Sequence, residues 1–337
     1  MATKKSIPIL IDIPLEQAIE QKNWIEVMRL LDRENDDGCG YSSRNRSRKM
    51  TSLLHRLYHI PPNERNEAPL TLIDRIIESY PNLIWFRDDD GRSALHFACS
   101  YTLWPSDEFT ENRTEQDTPT LRLEHLLRAF SVDNQKPTIF ESNGYLEFLS
   151  DAYSITPLQM LVSSRPHDCF TVPMLKALLE VFPTLSSTYN LCQVTPLHYY
   201  TTGTLYSREI LQCLLDSCIC NDAASKVDIY GRTPLHVVVA TSPNFKNSKE
   251  EIRLLAQAYP DAVYLKDRNG KDSFMYAWEN FLRRCVKGDE GQVILNSQSI
   301  DDLDFKNVLE ILREGGKFAS NLPKNCEYYD FEQYFRC

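Results

Sequence analysis

The sequence predicts an all-α protein, an array of stacked antiparallel helix pairs with projecting turns. A four-residue phrase recurs as Ser93-Ala94-Leu95-His96, Thr156-Pro157-Leu158-Gln159, Thr195-Pro196-Leu197-His198 and Thr233-Pro234-Leu235-His236. Weaker copies stand at Thr51-Ser52-Leu53-Leu54 and Asp272-Ser273-Phe274-Met275. The six starts are 42, 63, 39, 38 and 39 positions apart, so one unit is reused with one large interruption. An amphipathic segment follows the phrases, and three such segments end in Tyr80-Pro81, Phe182-Pro183 and Tyr259-Pro260. Units of this kind bury their apolar faces against one another, and the work of such an array falls to a surface rather than to a catalytic pocket.

Each phrase is read as a helix start. In Thr233-Pro234-Leu235-His236 the threonine can cap free backbone donors, and proline sits where its missing N–H costs nothing. Ile252, Leu254, Leu255 and Ala258 then give the stripe of a second helix. The second helices are placed at Leu72 to Tyr80, Leu121 to Phe130, Met174 to Phe182, Glu209 to Cys218, Glu250 to Tyr259 and Phe305 to Arg313. The aromatic-proline pairs are stop signals, because proline cannot continue the ladder and restrains the residue before it. The segments that follow, Leu83 to Gly91 and Ala262 to Gly270, end in Asp/Asn-Gly turn chemistry and are expected to project as loops.

These residues resemble the ankyrin-repeat family. The phrase matches its Thr-Pro-Leu-His helix start at Ser93 to His96, Thr195 to His198 and Thr233 to His236, with Gln159 in place of histidine. The family's turn glycine corresponds to Gly91, Gly231 and Gly270, with Ser154 and Gln193 in the other two places. The longer repeats with a Tyr/Phe-Pro ending resemble those common in diatoms and related protists. The resemblance covers roughly Leu15 to Gly315. It implies an ankyrin-repeat solenoid that binds protein through turn tips and inner helices on a concave face.

The chain divides into an N-terminal extension over 1–14, an array over 15–315 and an aromatic tail over 316–337. Residues 15–31 read as helices that close the array, as terminal units without a neighbour must. Ser273 to Arg284 and Phe305 to Arg313 form a degenerate last unit, stopped by Gly315-Gly316. The long interval places insertions near 104–118 and 131–150, which are read as surface loops. The basic run Tyr41 to Lys49 is read as a solvated loop, with an anion site, a phosphorylation target or an import signal as alternatives. The tail from Cys326 to Cys337 is dense in aromatics and is expected to pack on the last unit, or else to offer a route to self-association.

Composition narrows the function. At 337 residues with 42% hydrophobic content the chain can build a core without staples, and its ten cysteines form no dense framework. An intracellular protein follows, cytoplasmic with nuclear presence allowed. A formal net charge of -10 argues against nucleic acid as the partner. Ile7-Pro8-Ile9-Leu10-Ile11 is too short for a secretory signal, and no apolar run reaches transmembrane length, so no membrane insertion is expected. His96, His198 and His236 recur at one register position and are read as structural links between units. Cys213, Cys218 and Cys220 lack the further ligands a zinc site needs. Asp88-Asp89-Asp90-Gly91 lacks the ligand spacing of a calcium loop.

The expected function is that of a noncatalytic protein-protein interaction module or adaptor that binds an unidentified intracellular protein or peptide, with no cofactor, metal site or catalytic residue. The alternative is an enzyme or metal-dependent regulator with a site formed by the insertions and the tail. The candidate binding residues are those that vary between equivalent positions. At the turns they are Arg87, Asp89, Arg92, Tyr189, Leu191, Gln193, Tyr230, Arg232, Arg268 and Lys271, and on the inner helices Tyr199, Tyr200 and Trp278, with Tyr101 and Met160 as further additions.

Overall fold

The computed structural model describes residues 54–55, 58, 69–79, 84–85, 87–100, 118–131, 149–164, 171–203, 206–217, 223–243, 245–285 and 303–320. Among them the chain is helical, with an isolated Arg87–Ser93 bridge and no strand. No helix among these residues is long and apolar enough to cross a membrane. The expected helices at 15–31, the basic run at 41–49, Tyr101, most of both insertions and the tail beyond Ser320 lie outside the described residues. The chain divides into two compact units, Met1–Ser164 and Arg165–Cys337.

The first unit holds α1 (Pro69–Ser79), α2 (Ala94–Cys99), α3 (Pro119–Ser131) and α4 (Pro157–Ser164). Here α1 packs on α3, and α2 packs on both α3 and α4. The core joins Leu72, Ile73 and Ile76 of α1 to Leu123, Leu126 and Phe130 of α3, and Leu95 of α2 and Leu158 of α4 are buried in the same unit. The α1 and α3 residues recur at three- and four-residue spacing, so one stripe of each helix is removed from water. Each such side chain contributes about 1.5–3 kcal/mol relative to exposure.

The second unit holds α5 (Thr171–Val181), α6 (Pro196–Thr201), α7 (Arg208–Asp216), α8 (Pro234–Thr241), α9 (Phe245–Ala258), α10 (Ser273–Cys285) and α11 (Leu303–Gly316). Its phrase-bearing helices pack in the order α6, α8, α10, and its longer helices in the order α5, α7, α9, α11. α8 has neighbours in both rows. Pro234 through Ala240 are accordingly all buried, so its sequence shows little amphipathicity. The carbonyls at its C-terminal end find partners on α10: Asn280 donates to Val239 at 2.7 Å and to Ser242 at 3.0 Å, and Arg283 donates to Ala240 at 3.0 Å. Phe281 and Phe305 stack at 4.3 Å to join α10 to α11.

Two local expectations are corrected, for the segments after the aromatic-proline pairs and for the start and stripe of α9. The segments after Phe182 and Tyr259 do not leave the helices as open loops. Proline opens a 3₁₀ turn in each, Pro183–Ser187 and Pro260–Val263, which buries Leu185 in the first and Ala262 and Val263 in the second. Gly315 and Gly316 are the last two residues of α11, so the last helix ends at the expected pair. A β-carbon at Gly315 would lie 2.6 Å from Ala256 Cβ, and one at Gly316 would lie 2.6 Å from the Tyr264 ring, so the pair permits close approach. Finally, α9 starts at Phe245 and buries Ile252, Leu255 and Ala256, while Ala258 is exposed.

Candidate functional site

The recurring phrase folds the same way in each unit. Thr195 caps α6: its hydroxyl lies 2.8 Å from His198 Nδ1 and accepts the His198 N–H. His198 Nε2 lies 2.9 Å from the carbonyl of Arg232. A carbonyl only accepts, so Nε2 carries the proton and Nδ1 accepts from the Thr195 hydroxyl. His96 repeats this with Ser93 and the Ile155 carbonyl at 3.0 Å, and His236 with Thr233 and the Leu265 carbonyl at 2.9 Å. Gln159 keeps the capping half with its amide oxygen, which accepts the Thr156 N–H at 2.9 Å.

Burial lowers the proton affinity of all three imidazoles, and it holds His96 down to about 4. With both ring nitrogens engaged, none of the three offers a lone pair to a metal or substrate. The Cys99 thiol is pushed up by burial, as is that of Cys213, which works against thiolate chemistry. Cys218 and Cys220 lie outside the described residues.

Ahead of each of the five phrases from Ser93 to Asp272 stands a turn begun by Asp88, Asp151, Asn190, Asp228 or Asp267. In every one the side-chain Oδ1 accepts N–H bonds from the residues two and four positions on. The backbone N–H of the same residue donates to the carbonyl four positions on. This closure puts the residue three positions on at positive φ: 76° at Gly91, 79° at Gly231, 77° at Gly270, 59° at Ser154 and 57° at Gln193. Burial alone would raise the Asp267 carboxyl, but bonds from Lys271 N, Tyr276 OH and Asn269 hold it below the usual range.

Successive turns are zipped tip to tip. In the first unit Ala152 N–H donates to the Asp90 carbonyl at 2.9 Å. In the second, Ile229 donates to Cys192 at 3.0 Å and Arg268 to Tyr230 at 2.9 Å. One backbone bond thus links each of these pairs of tips and holds them in register. Their outward positions are then filled by side chains of a different kind.

In the second unit those side chains are apolar at one end and basic at the other. Leu191, Tyr189 and Tyr230 are 72%, 64% and 53% exposed, among the most exposed large hydrophobics of the described residues. Arg232 lies 4.9 Å over the Tyr230 ring and pairs with the buried Asp228 at 2.7 Å, so it braces Tyr230 instead of standing free. Gln193 and Arg268 are exposed. Lys271 pairs with Glu279 at 2.6 Å and lies 5.8 Å over the Tyr276 ring. Tyr199, half-buried on α6, accepts the Asn190 amide at 3.0 Å and so buttresses the first tip.

Two candidates are corrected. Tyr200 is 1% exposed, donates its hydroxyl to the Ser207 carbonyl at 2.9 Å and accepts the Ser207 N–H at 2.8 Å. It closes the connection from α6 to α7 and presents no ring to a partner. Trp278 is half-buried and spends its ring on Phe281 at 5.7 Å and Phe305 at 5.9 Å. In the first unit Arg87 donates to the Ser150 carbonyl, Asp89 is exposed, Arg92 pairs with Asp90 at 3.4 Å and Met160 is half-buried on α4.

Sequence reasoning missed the turn-opening Asp/Asn, the exposed Tyr153, Val227 and Lys266, and the Tyr276–Asp267 bond of 2.8 Å. The first was within reach, since an Asp or Asn stands three positions before every turn glycine or its substitute. A depression in the second unit, of about 550 Å³, lies between α9 and α11 and is lined by Lys249, Arg253, Glu310, Ile311, Glu314 and Phe318. Its cations are already paired, Lys249 with Asp304 and Arg253 with Glu250. No family model matches the chain, and a search of the curated proteins returns no match.

Proposed function

We propose that this chain is an ankyrin-repeat protein that acts as a noncatalytic interaction module or adaptor, taking a segment of a partner protein along its turn tips. The observation that carries this reading is the exposure of Leu191, Tyr189 and Tyr230 on tips that backbone bonds link in a row. Exposed tyrosine rings give large contact area for few rotatable bonds, which is the character of an interface anchor, and Leu191 adds apolar surface beside them. The phrase histidines, being buried and bonded at both nitrogens, act as architecture in this reading.

The test is affinity capture from the native cell with the wild-type chain and with a Tyr189→Ser, Leu191→Ser, Tyr230→Ser variant. Helical content should be unchanged, because the three residues lie on the turns. Captured partners should fall at least tenfold. Equal capture by a folded variant would remove this surface from consideration.

A further inference from the structure

The basic end of the tip row is matched in chemistry by another stretch of this chain. Lys266 and Arg268 are exposed on the last tip, and Lys271 stands beside them in its pair with Glu279. The acids of the same turn, Asp267 and Asp272, are buried. Asp267 is bonded to backbone N–H groups at 2.8 Å, and Asp272 accepts the Met275 N–H at 3.0 Å. The outward charge is therefore cationic on a chain whose formal net charge is -10. Tyr230, Leu191 and Tyr189 continue the row with apolar surface.

The stretch from Glu327 to Phe335 carries three carboxylates, Glu327, Asp330 and Glu332, interleaved with five aromatic rings. Its point of departure is known. Ser320 donates its N–H to Asp261 Oδ1 at 2.6 Å and its hydroxyl to Oδ2 at 3.0 Å, which pins the chain to the 3₁₀ turn at the foot of the last tip. From Ser320 to Glu327 the chain reaches up to roughly 25 Å, and Asp261 to Arg268, the same number of residues but partly helical, is shorter. The depression between α9 and α11 is nearer but less suited, because its cations are paired and Glu310 and Glu314 repel an acidic segment.

We propose that Glu327–Phe335 is an intramolecular ligand of this tip row, its carboxylates on Lys266 and Arg268 and its rings against Tyr230 and Leu191. The inference rests on the tip-binding reading above and deepens it: the partner is an acidic, aromatic protein segment that competes with the chain's own C-terminal stretch. A tethered ligand acts at an effective concentration in the millimolar range, so it masks the site against a weak free competitor by about tenfold.

The probe is a fluorescein-labelled synthetic peptide of residues 324–336 with serine at the Cys326 position, followed by anisotropy against full-length chains. The wild type should bind it weakly. A Glu327→Gln, Asp330→Asn, Glu332→Gln chain should bind it about tenfold more tightly, and adding Lys266→Glu and Arg268→Glu should abolish that gain. Circular dichroism confirms that each variant is folded. Equal affinity of the first two chains, no binding to either, or indifference to the charge reversal overturns the proposal. Sedimentation velocity should show a monomer; a dimer dissolved by the charge reversal assigns the segment to a second copy and overturns the intramolecular contact. Partner capture that still depends on Tyr189, Leu191 and Tyr230 would leave the tip-binding reading standing even if this inference fails.

Discussion

His198 reaches the backbone carbonyl of Arg232 across 34 positions of sequence, at 2.9 Å, while its other nitrogen accepts a hydrogen bond from the Thr195 hydroxyl. One imidazole thereby caps its own helix and clamps the next turn. The side chain of Arg232, whose carbonyl is held, pairs with Asp228 and supports Tyr230, so the clamp sits directly behind the exposed surface. The link from His236 lands instead on Leu265, on the near arm of the last turn, and the last phrase carries Met275 where a further histidine would stand.

Replacing His198 tests the clamp. His198→Ala leaves two polar partners unmatched in a buried setting and should cost about 1–3 kcal/mol. His198→Gln should recover part of that loss, since Gln159 already caps the equivalent helix with its amide oxygen. Urea midpoints followed by circular dichroism separate the three chains, and equal midpoints for the alanine and glutamine variants would show that the cap contributes nothing.

Acid should weaken the fold through these same histidines. Below pH 6.5 an unfolded histidine takes a proton that His96 refuses until about pH 4, so the unfolded chain binds more protons and stability falls as pH drops across that window. His198 and His236 are displaced in the same direction. The three should act together, giving a steep loss of melting temperature on the acid side. Substituting glutamine at all three should flatten that slope.

Glu251 works in the opposite sense. Burial raises its carboxyl from 4.5 to about 8, with Tyr200 and Tyr206 close enough to feel its charge. The folded chain holds this proton where the unfolded chain has lost it, so the contribution of Glu251 declines from pH 4.5 to 8. Glu251→Gln should gain on the order of 2–4 kcal/mol at pH 8.5 relative to pH 5. Thermal melts at the two pH values decide it, and an equal shift at both would rule out ionisation as the cause.

The turn glycines should not be equivalent. A β-carbon at Gly231 would lie 3.2 Å from Arg268 N, whereas nothing lies within 4 Å at Gly270. Both hold positive φ, so Gly270→Ala should cost about 1–2 kcal/mol for backbone strain alone. Gly231→Ala should cost more, because the tip-to-tip bond must also shift. Gln193→Gly should stabilise by relieving the same strain at φ 57°. Chemical denaturation of the three variants gives the order.

Close packing of the last helix predicts a coupled pair. Gly315→Ala places a methyl 2.6 Å from Ala256 Cβ and should destabilise by about 1–3 kcal/mol. Adding Ala256→Gly restores the space and should recover part of the loss despite its own helix cost of about 1 kcal/mol. Strict additivity of the two changes in a double-mutant cycle would remove direct contact as the explanation.

Legibility followed locality. The phrase, its cap and the positive-φ turn positions involve residues within four positions of one another, so Thr195, His198, Gln193 and Gly231 could be assigned from spacing. The long helices were visible through their apolar stripes, although α9 begins five residues before its expected start at Glu250. Tyr200 and Trp278 were misplaced for a shared reason: an aromatic side chain looks the same in sequence whether a neighbour covers it or not. Gly315 and Gly316 were legible as the helix end but not as the close contacts of Ala256 and Tyr264, because a breaker and a close-contact residue are both glycine.

By itself the sequence determined that the chain is helical, where the helices that open on the phrase start and which positions take the turn glycine, because capping, proline geometry and positive φ are decided by neighbours along the backbone. Tertiary structure alone decided which side chains face outward. Burial depends on residues far apart in sequence: Phe305 covers the Trp278 ring, the Leu265 carbonyl takes up His236 Nε2, and the tip bonds join Ile229 to Cys192 and Arg268 to Tyr230 while Leu191 and Tyr230 stay in the open.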